Sequence, residues 1–288
     1  MEVKLDTQGL LIYTAMGAYM AAFAASMLHR RRVVRPSSRR VSGADFGKPS
    51  RPGSRRVSRV AYLLGFVVAA ASFVYRWVHV RHVPLQNLFE VFLFLGVVCW
   101  PLSWFSRRVL KVAGEGVDML IGVIVLFPAA FIFSDRPQQL PPALQSWLFA
   151  PHVVVYMLGY ILMAKATVQA VSQIVGKVGL ADTTWLPAEE ATYRTVCAGF
   201  PLLTLGLVLG SWWAKLAWGD YWGWDPKELW SLASWLVYVG YFHFRYMFGT
   251  KYPRINSLWA IVGMGCIVIT LLWVNLSKLF AGLHSYAM

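Results

Sequence analysis

The residues best suited to chemistry are concentrated in one aromatic stretch, residues 218–230, which reads WGDYWGWDPKELW. The stretch contains four of the chain's 14 tryptophans, with Gly219 and Gly223 between them. Broad π faces held close together on a short loop suit a flat hydrophobic ligand. The alternative interpretation is an aromatic belt at a membrane surface, which Trp and Tyr form in many membrane proteins.

A helix start follows directly on this loop. Asp225 is the expected N-cap, Pro226 occupies the first helical position, and Glu228 lies three residues after the cap. This spacing is typical of a capping box, in which each side chain accepts a hydrogen bond from the other residue's backbone. The loop is therefore fastened to a helix, and the cap alone is a sufficient structural role for both carboxylates.

Histidines supply the second chemical feature, because neutral imidazoles are common ligands of iron. His82, His152 and His284 each adjoin an apolar run, at the level of the Trp-rich loop. Singly, each would be a polar residue at a membrane boundary. Two imidazoles facing each other across a planar macrocycle with aromatic walls would satisfy six-coordinate haem iron. His243 lies inside an apolar run, where an ionisable side chain indicates function unless it is hydrogen-bonded between helices.

Composition identifies the elements that must position these residues. The 288 residues are 58% hydrophobic and 14% charged, with a mean hydropathy of +0.53. These values exclude a water-soluble domain and a disordered chain, and the count of three cysteines excludes a disulfide scaffold. The apolar runs are too long for barrel strands. The predicted fold is an all-α polytopic membrane helix bundle of about eight transmembrane helices. The predicted spans are 9–28, 60–80, 86–106 (interrupted by Pro101), 117–133 (short), 151–175, 195–217, 228–248 and 256–281.

The basic residues predict the orientation of these spans. Of 27 Lys and Arg, 11 lie between Arg30 and Arg59, and the four loops assigned to the inside hold 18. The positive-inside rule then places both termini outside. This clustering after an apolar run also argues against a nucleic-acid-binding surface. We divide the chain into residues 1–59, a first helix with an Arg-rich cytoplasmic loop, and residues 60–288, a bundle carrying the Trp-rich loop at about 211–230.

Several polar residues close to span boundaries need partners within the bundle. Glu90 could pair with Arg76 or with Arg81, as a structural ion pair or near the ligand, while Gln86 and Asn87 lie beside it. The three cysteines all fall inside apolar stretches without a CxxC pattern, which predicts inert core thiols. They are Cys99, Cys197 and Cys266.

These motifs resemble a known family. WGDYWGWDPKE is similar to the tryptophan-rich WWD signature of the haem-handling proteins of cytochrome c maturation, and the chain resembles the CcsA (ResC) family of system II. Three segments resemble that family around single histidines: RHVPLQNLFEVFLFL at His82, ALQSWLFAPHVVVYMLGY at His152 and WLVYVGYFHFR at His243. With the terminal AGLHSYA, the resemblance covers most of residues 76–288.

The resemblance implies a haem chaperone and cytochrome c synthase (haem lyase). In such a protein haem b crosses from the cytoplasm and is presented on the outer face to apocytochrome c, whose two CxxCH cysteines form thioether bonds with the haem vinyl groups. The implied partners are a CcsB (ResB) membrane subunit, apocytochrome c and a thiol reductant protein. The implied location is a bacterial plasma membrane, or a thylakoid membrane in a plastid or cyanobacterium.

The same resemblance assigns roles to single residues. It makes His152 and His284 the axial ligands of an outer haem, and His243 a ligand of a membrane haem whose second ligand comes from the partner. No side chain of this chain is expected to act as a nucleophile. The other expected haem-binding residues are Trp218, Trp222, Trp224 and Asp225, followed by a second group of His82, Glu90, Tyr221, Gly219 and Gly223.

Two other functions are compatible with a haem-binding membrane bundle. A b-type electron carrier would need His pairs on facing helices at both membrane depths, whereas here a single His lies at membrane depth. A transporter would use the Trp-rich loop only as a gate. Retention of haem through turnover would favour the electron carrier over a protein that treats haem as a substrate.

Overall fold

The computed structural model describes Lys4 and residues 6–34, 53–175 and 186–276, in which all regular structure is helical. Within these ranges, six helices are long and apolar enough to cross a membrane, so the predicted polytopic helical membrane fold is confirmed. Eight long helices follow the order of the eight predicted spans. They are α1 (Thr7–Val34), α2 (Gly53–Val80), α3 (Leu88–Phe105), α4 (Glu115–Phe131), α5 (Phe149–Val175), α6 (Ala188–Trp218), α7 (Pro226–Phe248) and α8 (Pro253–Val268).

The Arg-rich loop predicted between the first two spans, residues 29–59, is partly helical. Helix α1 continues to Val34 and α2 begins at Gly53, so both extend into the basic segment. Arginine is a good helix former, and a helix can continue beyond the apolar layer where its charged side chains reach water. The remainder of the predicted loop, 35–52, lies outside the described residues.

Helix α6 also begins earlier than its apolar run. It starts at Ala188, seven residues before the predicted position. The prediction began too late because the first turns carry charged rather than apolar side chains. Arg194 donates to Glu190 one turn before it at 2.8 Å, a spacing that supports a helix. Acidic residues in the first turn also interact favourably with the helix dipole.

The sequence suggested that Pro101 interrupts the third span, but the structure shows no interruption there. Helix α3 continues through Pro101, and its irregular turn comes later, as a π-helical segment at Ser106–Leu110. Membrane helices tolerate proline because neighbouring groups satisfy the freed backbone. Helix α8 has a similar π turn at Ile269–Trp273 and then one more α turn, Val274–Leu276.

The helices pack as two groups. Helices α1 to α4 form the first, with the fully buried Tyr19 near its centre. In the second group α5 packs along α6 and α8, α7 packs mainly against α8, and α3 joins the two groups by contacting α5. We call the end that carries the Trp-rich loop the tryptophan end; residues 81–87 and 134–148 belong to the same end.

Two buried ion pairs join neighbouring helices, one within the first group and one between the first group and α5. Arg76 of α2 binds Glu90 of α3 at 2.9 Å, and both side chains are buried. Of the two partners predicted for Glu90, Arg76 is therefore the one that it binds. Lys165 of α5 binds Asp118 of α4 at 2.6 Å. A charge inside a membrane bundle is costly unless paired, so both pairs constrain how the helices meet.

Candidate functional site

A cleft of about 990 Å³, partly open to the surroundings, lies at the tryptophan end between α3, α5, α6 and α7. The cleft combines apolar walls with a few converging polar groups, as ligand sites do. The aromatic lining residues are Phe149, Tyr156, Tyr160, Trp213 and Trp222. The principal polar ones are Gln86, Asn87, His152, Lys227, Glu228 and Asn275.

His152 lies in the first turn of α5 and lines this cleft. Its Nδ1 lies 2.9 Å from the carbonyl oxygen of Gly206 on α6. Because a carbonyl oxygen only accepts, Nδ1 carries the proton in a neutral ring and Nε2 carries the lone pair. This is the arrangement of a metal-ligating histidine, whose second nitrogen donates to a carbonyl and fixes the tautomer.

Neighbouring groups also fix the orientation of the His152 ring. Trp213 stacks on it with ring centroids 5.7 Å apart and planes at 22°, and Tyr156 contacts it edge-on at 5.1 Å. On the third side, a Cβ added to Gly210 would come within 2.5 Å of the His152 Cε1. Glycine at 210 is therefore what allows α6 to approach the ring so closely.

Trp213 is the site residue that sequence reasoning missed. It is buried, it stacks on His152, and its Nε1 donates to the Ala143 carbonyl oxygen at 2.9 Å. It precedes the WGDYWGWDPKE motif, and the predicted loop boundary of about 211 was wrong, because α6 continues to Trp218 and places Trp213 in the helix. The available signal was its spacing, because Trp213 follows Gly206 by seven residues, which is two helical turns on the same face.

The loop itself has the predicted cap. Helix α6 ends at Trp218 and is capped by Gly219, which has φ 93°, a conformation that glycine adopts without strain. At the start of α7 the Lys227 amide donates to Asp225 Oδ1 at 2.9 Å, and the Asp225 amide donates to Glu228 Oε2 at 3.1 Å. The Gly223 amide also donates to Glu228, at 2.8 Å. Glu228 thus fixes both the helix start and the preceding turn.

The aromatic residues of the motif do not form a single platform. Trp222 lines the cleft, and its buried Nε1 has no acceptor among the described residues. Trp224, with φ 56°, is turned away and 67% exposed, and its ring meets Trp222 edge-to-face at 6.0 Å. Trp218 packs against Trp213 with centroids 4.8 Å apart, and Tyr221 is 58% exposed.

Lys227 brings a cationic group to the lining of the cleft that Trp222 also lines. It is the second residue of α7, outside the apolar part of that helix. Burial lowers the pKa of its amine to about 8, and the neighbouring Asp225 carboxylate opposes this shift. The amine is thus poorly solvated, and the Asp225 carboxylate favours its charged form.

Glu90 acts on the cleft through the segment that precedes α3. Its Oε2 accepts from the Gln86 amide at 2.9 Å, while its Oε1 binds Arg76. Asn87 caps α3 by accepting from the Glu90 amide at 3.0 Å. Gln86 and Asn87 both line the cleft, so this network positions one of its walls.

The structure does not bring His82 into the cleft that His152 lines. His82 borders a separate, more open cleft of about 980 Å³ formed with residues 137–140. Its Nδ1 lies 3.1 Å from the Val83 carbonyl oxygen, and its Nε2 is buried. Of the three histidines predicted near the loop, His152 lies at the cleft, His82 lies beside it, and His284 is outside the described residues.

His243 lies far from the cleft, on the face of α7 that is not covered by the other helices. It is about 27 Å along the helix from Asp225 at 1.5 Å per residue. Its side chain is exposed, and its Nδ1 lies 2.9 Å from the Val239 carbonyl oxygen, which again leaves the lone pair on Nε2. Nearby, Arg245 pairs with Glu189 and Glu190 of α6.

Comparison with known proteins identifies the family. Residues 57–281 match the family described as Cytochrome C assembly protein. The chain is 32% identical over 274 residues to "Cytochrome c biogenesis protein CcsA" of Synechococcus sp. (strain CC9902), covering 82% of this chain and 88% of that protein. It is 33% identical to the CcsA of Prochlorococcus marinus (strain MIT 9303), over 77% and 81% of the two chains.

A solved structure shares the fold. "Cytochrome c Heme Lyase CcmF" superimposes with a TM-score of 0.67 at 19% identity, over 94% of this chain. The chain spans about half, 48%, of the CcmF chain's length. From the family match and the identity to CcsA proteins, the chain belongs to the cytochrome c assembly family, in its CcsA group, and is a polytopic membrane protein of cytochrome c biogenesis.

Proposed function

We propose that this chain presents haem b to apocytochrome c at the tryptophan end and, together with a CcsB (ResB) subunit, acts as a cytochrome c synthase. The observation that carries the proposal is His152: a histidine with its tautomer fixed by the Gly206 carbonyl, in the wall of an aromatic cleft beneath the Trp-rich loop. Neutral imidazole and aromatic walls are what a six-coordinate haem iron and its ring require. His284 is the proposed second axial ligand.

In this proposal the haem and the acceptor cysteines supply the reacting groups. Each cysteine thiol adds across a haem vinyl group: a carbon–sulfur bond forms at one vinyl carbon and a proton is added to the other. The chain needs no nucleophile of its own, and its free cysteines, buried or half-buried in the described helices, lie away from the cleft lining. The chain's contribution is orientation, through the axial ligand and the fixed loop.

The exposure of His243 supports the proposal that this chain works with a partner subunit. Its side chain lies on the outside of α7, and no second histidine at that depth accompanies it among the described residues. We propose that it ligates a haem within the membrane, at the surface where CcsB supplies the other ligand. A thiol reductant that keeps the acceptor cysteines reduced completes the proposed set of partners.

The orientation of the bundle follows from the distribution of charge. Arg-rich segments adjoin the end of α1 and the start of α2, so by the positive-inside rule we propose that the tryptophan end and both termini lie on the extracytoplasmic side. The matched CcsA proteins are cyanobacterial, for which the plasma membrane and the thylakoid membrane are the two candidate locations.

The test is replacement of His152 by Ala in cells that express the chain with its partner and a reporter c-type cytochrome. We expect holocytochrome to be lost and to return in part when imidazole is supplied, because free imidazole can occupy the ligand position. The matched control is His79→Ala, since His79 is at the same end and its Nδ1 also binds a backbone carbonyl, at 2.8 Å, but outside the His152 cleft. Unchanged holocytochrome from His152→Ala would refute the axial assignment.

A further inference from the structure

A second site lies at the end of the bundle opposite the tryptophan end. It is a groove of about 550 Å³ between the start of α2 and the end of α3. Its charged lining residues are Arg59 of α2, Arg107 of the π turn after α3 and Glu115 at the start of α4. Most of the remaining lining is apolar or aromatic. The groove shares no residue with the lining of the cleft at His152, so the proposed haem chemistry does not use it.

Two guanidinium groups share one carboxylate in this groove. Arg59 Nε donates to Glu115 Oε2 at 3.0 Å, and Arg107 Nε lies 3.0 Å from Glu115 Oε1. Both contacts use Nε, and no described residue accepts a hydrogen bond from the terminal nitrogens of either arginine. The cluster therefore keeps one net positive charge and several N–H groups with which to bind an anion.

Stabilisation of the fold is a weak reason for this cluster. The side chains of Arg59 and Arg107 are 46% and 32% exposed, and ion pairs this exposed contribute little to stability. Arginine is well suited to a phosphate, because its planar donors can bind two oxygens at once. The arrangement therefore suits an anion that reaches the groove from outside the bundle.

The apolar lining extends from the charged end toward the middle of the bundle. On α3, Trp104 and Trp100 precede Arg107 by three and seven residues, so Trp100 lies roughly 10 Å farther along the helix. On α2, Leu63 follows Arg59 by four residues. Trp104 is 49% and Leu63 is 39% exposed, so the wall is open to the membrane. A charged end continued by an apolar wall matches a lipid, whereas a free anion would need only the charged end.

We propose that this groove binds an anionic lipid, with its phosphate on Arg59 and Arg107 and an acyl chain along Trp104 and Trp100. Basic pockets between transmembrane helices bind anionic headgroups in this way, and tryptophan is enriched at the membrane–water interface. Glu115 holds the two guanidinium groups together, although its own charge opposes the anion. Because the site and the His152 cleft are at opposite ends of the bundle, the lipid site does not depend on haem binding.

The experiment compares phosphatidylglycerol with phosphatidylcholine of the same acyl chains, brominated so that they quench tryptophan fluorescence on contact. The full chain, purified in detergent and stripped of lipid, is titrated with each lipid. The contribution of the groove is the quenching that disappears in Trp100→Phe/Trp104→Phe, a variant that keeps aromatic rings, including the one stacked on Phe66. We expect this quenching at about tenfold less phosphatidylglycerol than phosphatidylcholine, as for a charge-assisted hydrogen bond.

Three charge variants separate an anion site from a structural ion pair. Arg59→Gln and Arg107→Gln should each weaken phosphatidylglycerol binding about fivefold and leave phosphatidylcholine unchanged. Glu115→Gln should strengthen phosphatidylglycerol binding by about the same factor, because it removes the opposing charge. A gain of this kind cannot come from misfolding. The matched control is Arg108→Gln, since Arg108 is exposed in the same π turn but does not line the groove.

Opposite effects of the arginine and glutamate variants, confined to phosphatidylglycerol, support the proposal. Equal quenching by the two lipids in the wild type would refute it, as would weaker phosphatidylglycerol binding in Glu115→Gln or an equal loss in Arg108→Gln. Glycerol phosphate carries the phosphate without acyl chains and should not displace the brominated lipid at equal concentration. Displacement would assign the groove to a soluble phosphate and refute the lipid.

Discussion

Tyr19 and His152 are both aromatic rings packed against a glycine, yet the two regions around them differ. In the first helix group, a Cβ on Gly122 would lie 2.7 Å from the Tyr19 ring. In the second, a Cβ on Gly210 would lie 2.5 Å from the His152 ring. Tyr19 is fully buried and its hydroxyl donates to the Gly96 carbonyl at 3.0 Å. His152 is half-buried and borders the 990 Å³ cleft.

The same contact, an aromatic ring against a helix glycine, therefore has a structural role in the first region and a proposed binding role in the second. Around Tyr19 the close approach of helices leaves a filled core in which the one polar atom of the ring is satisfied. Around His152 the close approach holds a ring at the edge of a space and fixes which nitrogen carries the lone pair. A change in the first region should alter stability, and a change in the second should alter ligand binding.

The largest expected effect is on stability, from Tyr19→Ala. Removing a large buried ring from a filled core should lower the free energy of unfolding by about 3–5 kcal/mol, as for other aromatic truncations. Denaturant or thermal unfolding in detergent measures it. Tyr246→Ala is the control, because Tyr246 is 92% exposed and its loss should change little. A Tyr19→Ala protein of normal stability that has lost haem would contradict the division between the two regions.

The next effect is on binding, from Gly210→Ala. The added methyl would displace the His152 ring, so we expect outer haem affinity to fall about tenfold, or about 1.4 kcal/mol. Stability should not fall in parallel, because alanine favours a helix over glycine by up to about 1 kcal/mol. Soret titration and thermal unfolding of the same samples measure both quantities.

The control for that variant is Gly265→Ala in α8, where an added Cβ meets nothing within 4 Å. It carries the same change in helix propensity without a clash. If both glycine variants keep wild-type haem affinity, the ring of His152 tolerates displacement and its orientation by α6 is unimportant. If both lose stability equally, the effect belongs to the helices rather than to the site.

The sequence predicted the elements of the fold and the local cap, because both depend on short-range patterns. Eight apolar runs correspond to eight helices, and the residues of the Asp225 cap lie three apart in sequence. Contacts between helices were less accessible. Trp213 and Gly210 matter only because α5 packs along α6, and no periodicity within α6 identifies which α5 ring they meet.

The loop shows a second limit of sequence reasoning. Counting tryptophans predicted one aromatic surface, but the direction of each ring depends on backbone dihedral angles. The positive φ of Trp224 turns its side chain outward while Trp222 faces the cleft. The early start of α6 was missed for a different reason, since its first turns carry charged residues that a search for apolar runs excludes.

The smallest expected effect comes from Trp224→Ala, and it tests how the loop divides its tryptophans. Trp224 is 67% exposed and meets the cleft only through the edge of Trp222, so its removal should change outer haem affinity less than about twofold. Trp222→Ala removes a ring that lines the cleft and should weaken haem about fivefold, within the range of aromatic contacts. Equal losses from the two variants would mean that the loop rearranges around haem to form the single platform that the motif suggested. A loss of holocytochrome in Trp224→Ala with normal haem affinity would instead assign its exposed face to a step after haem binding.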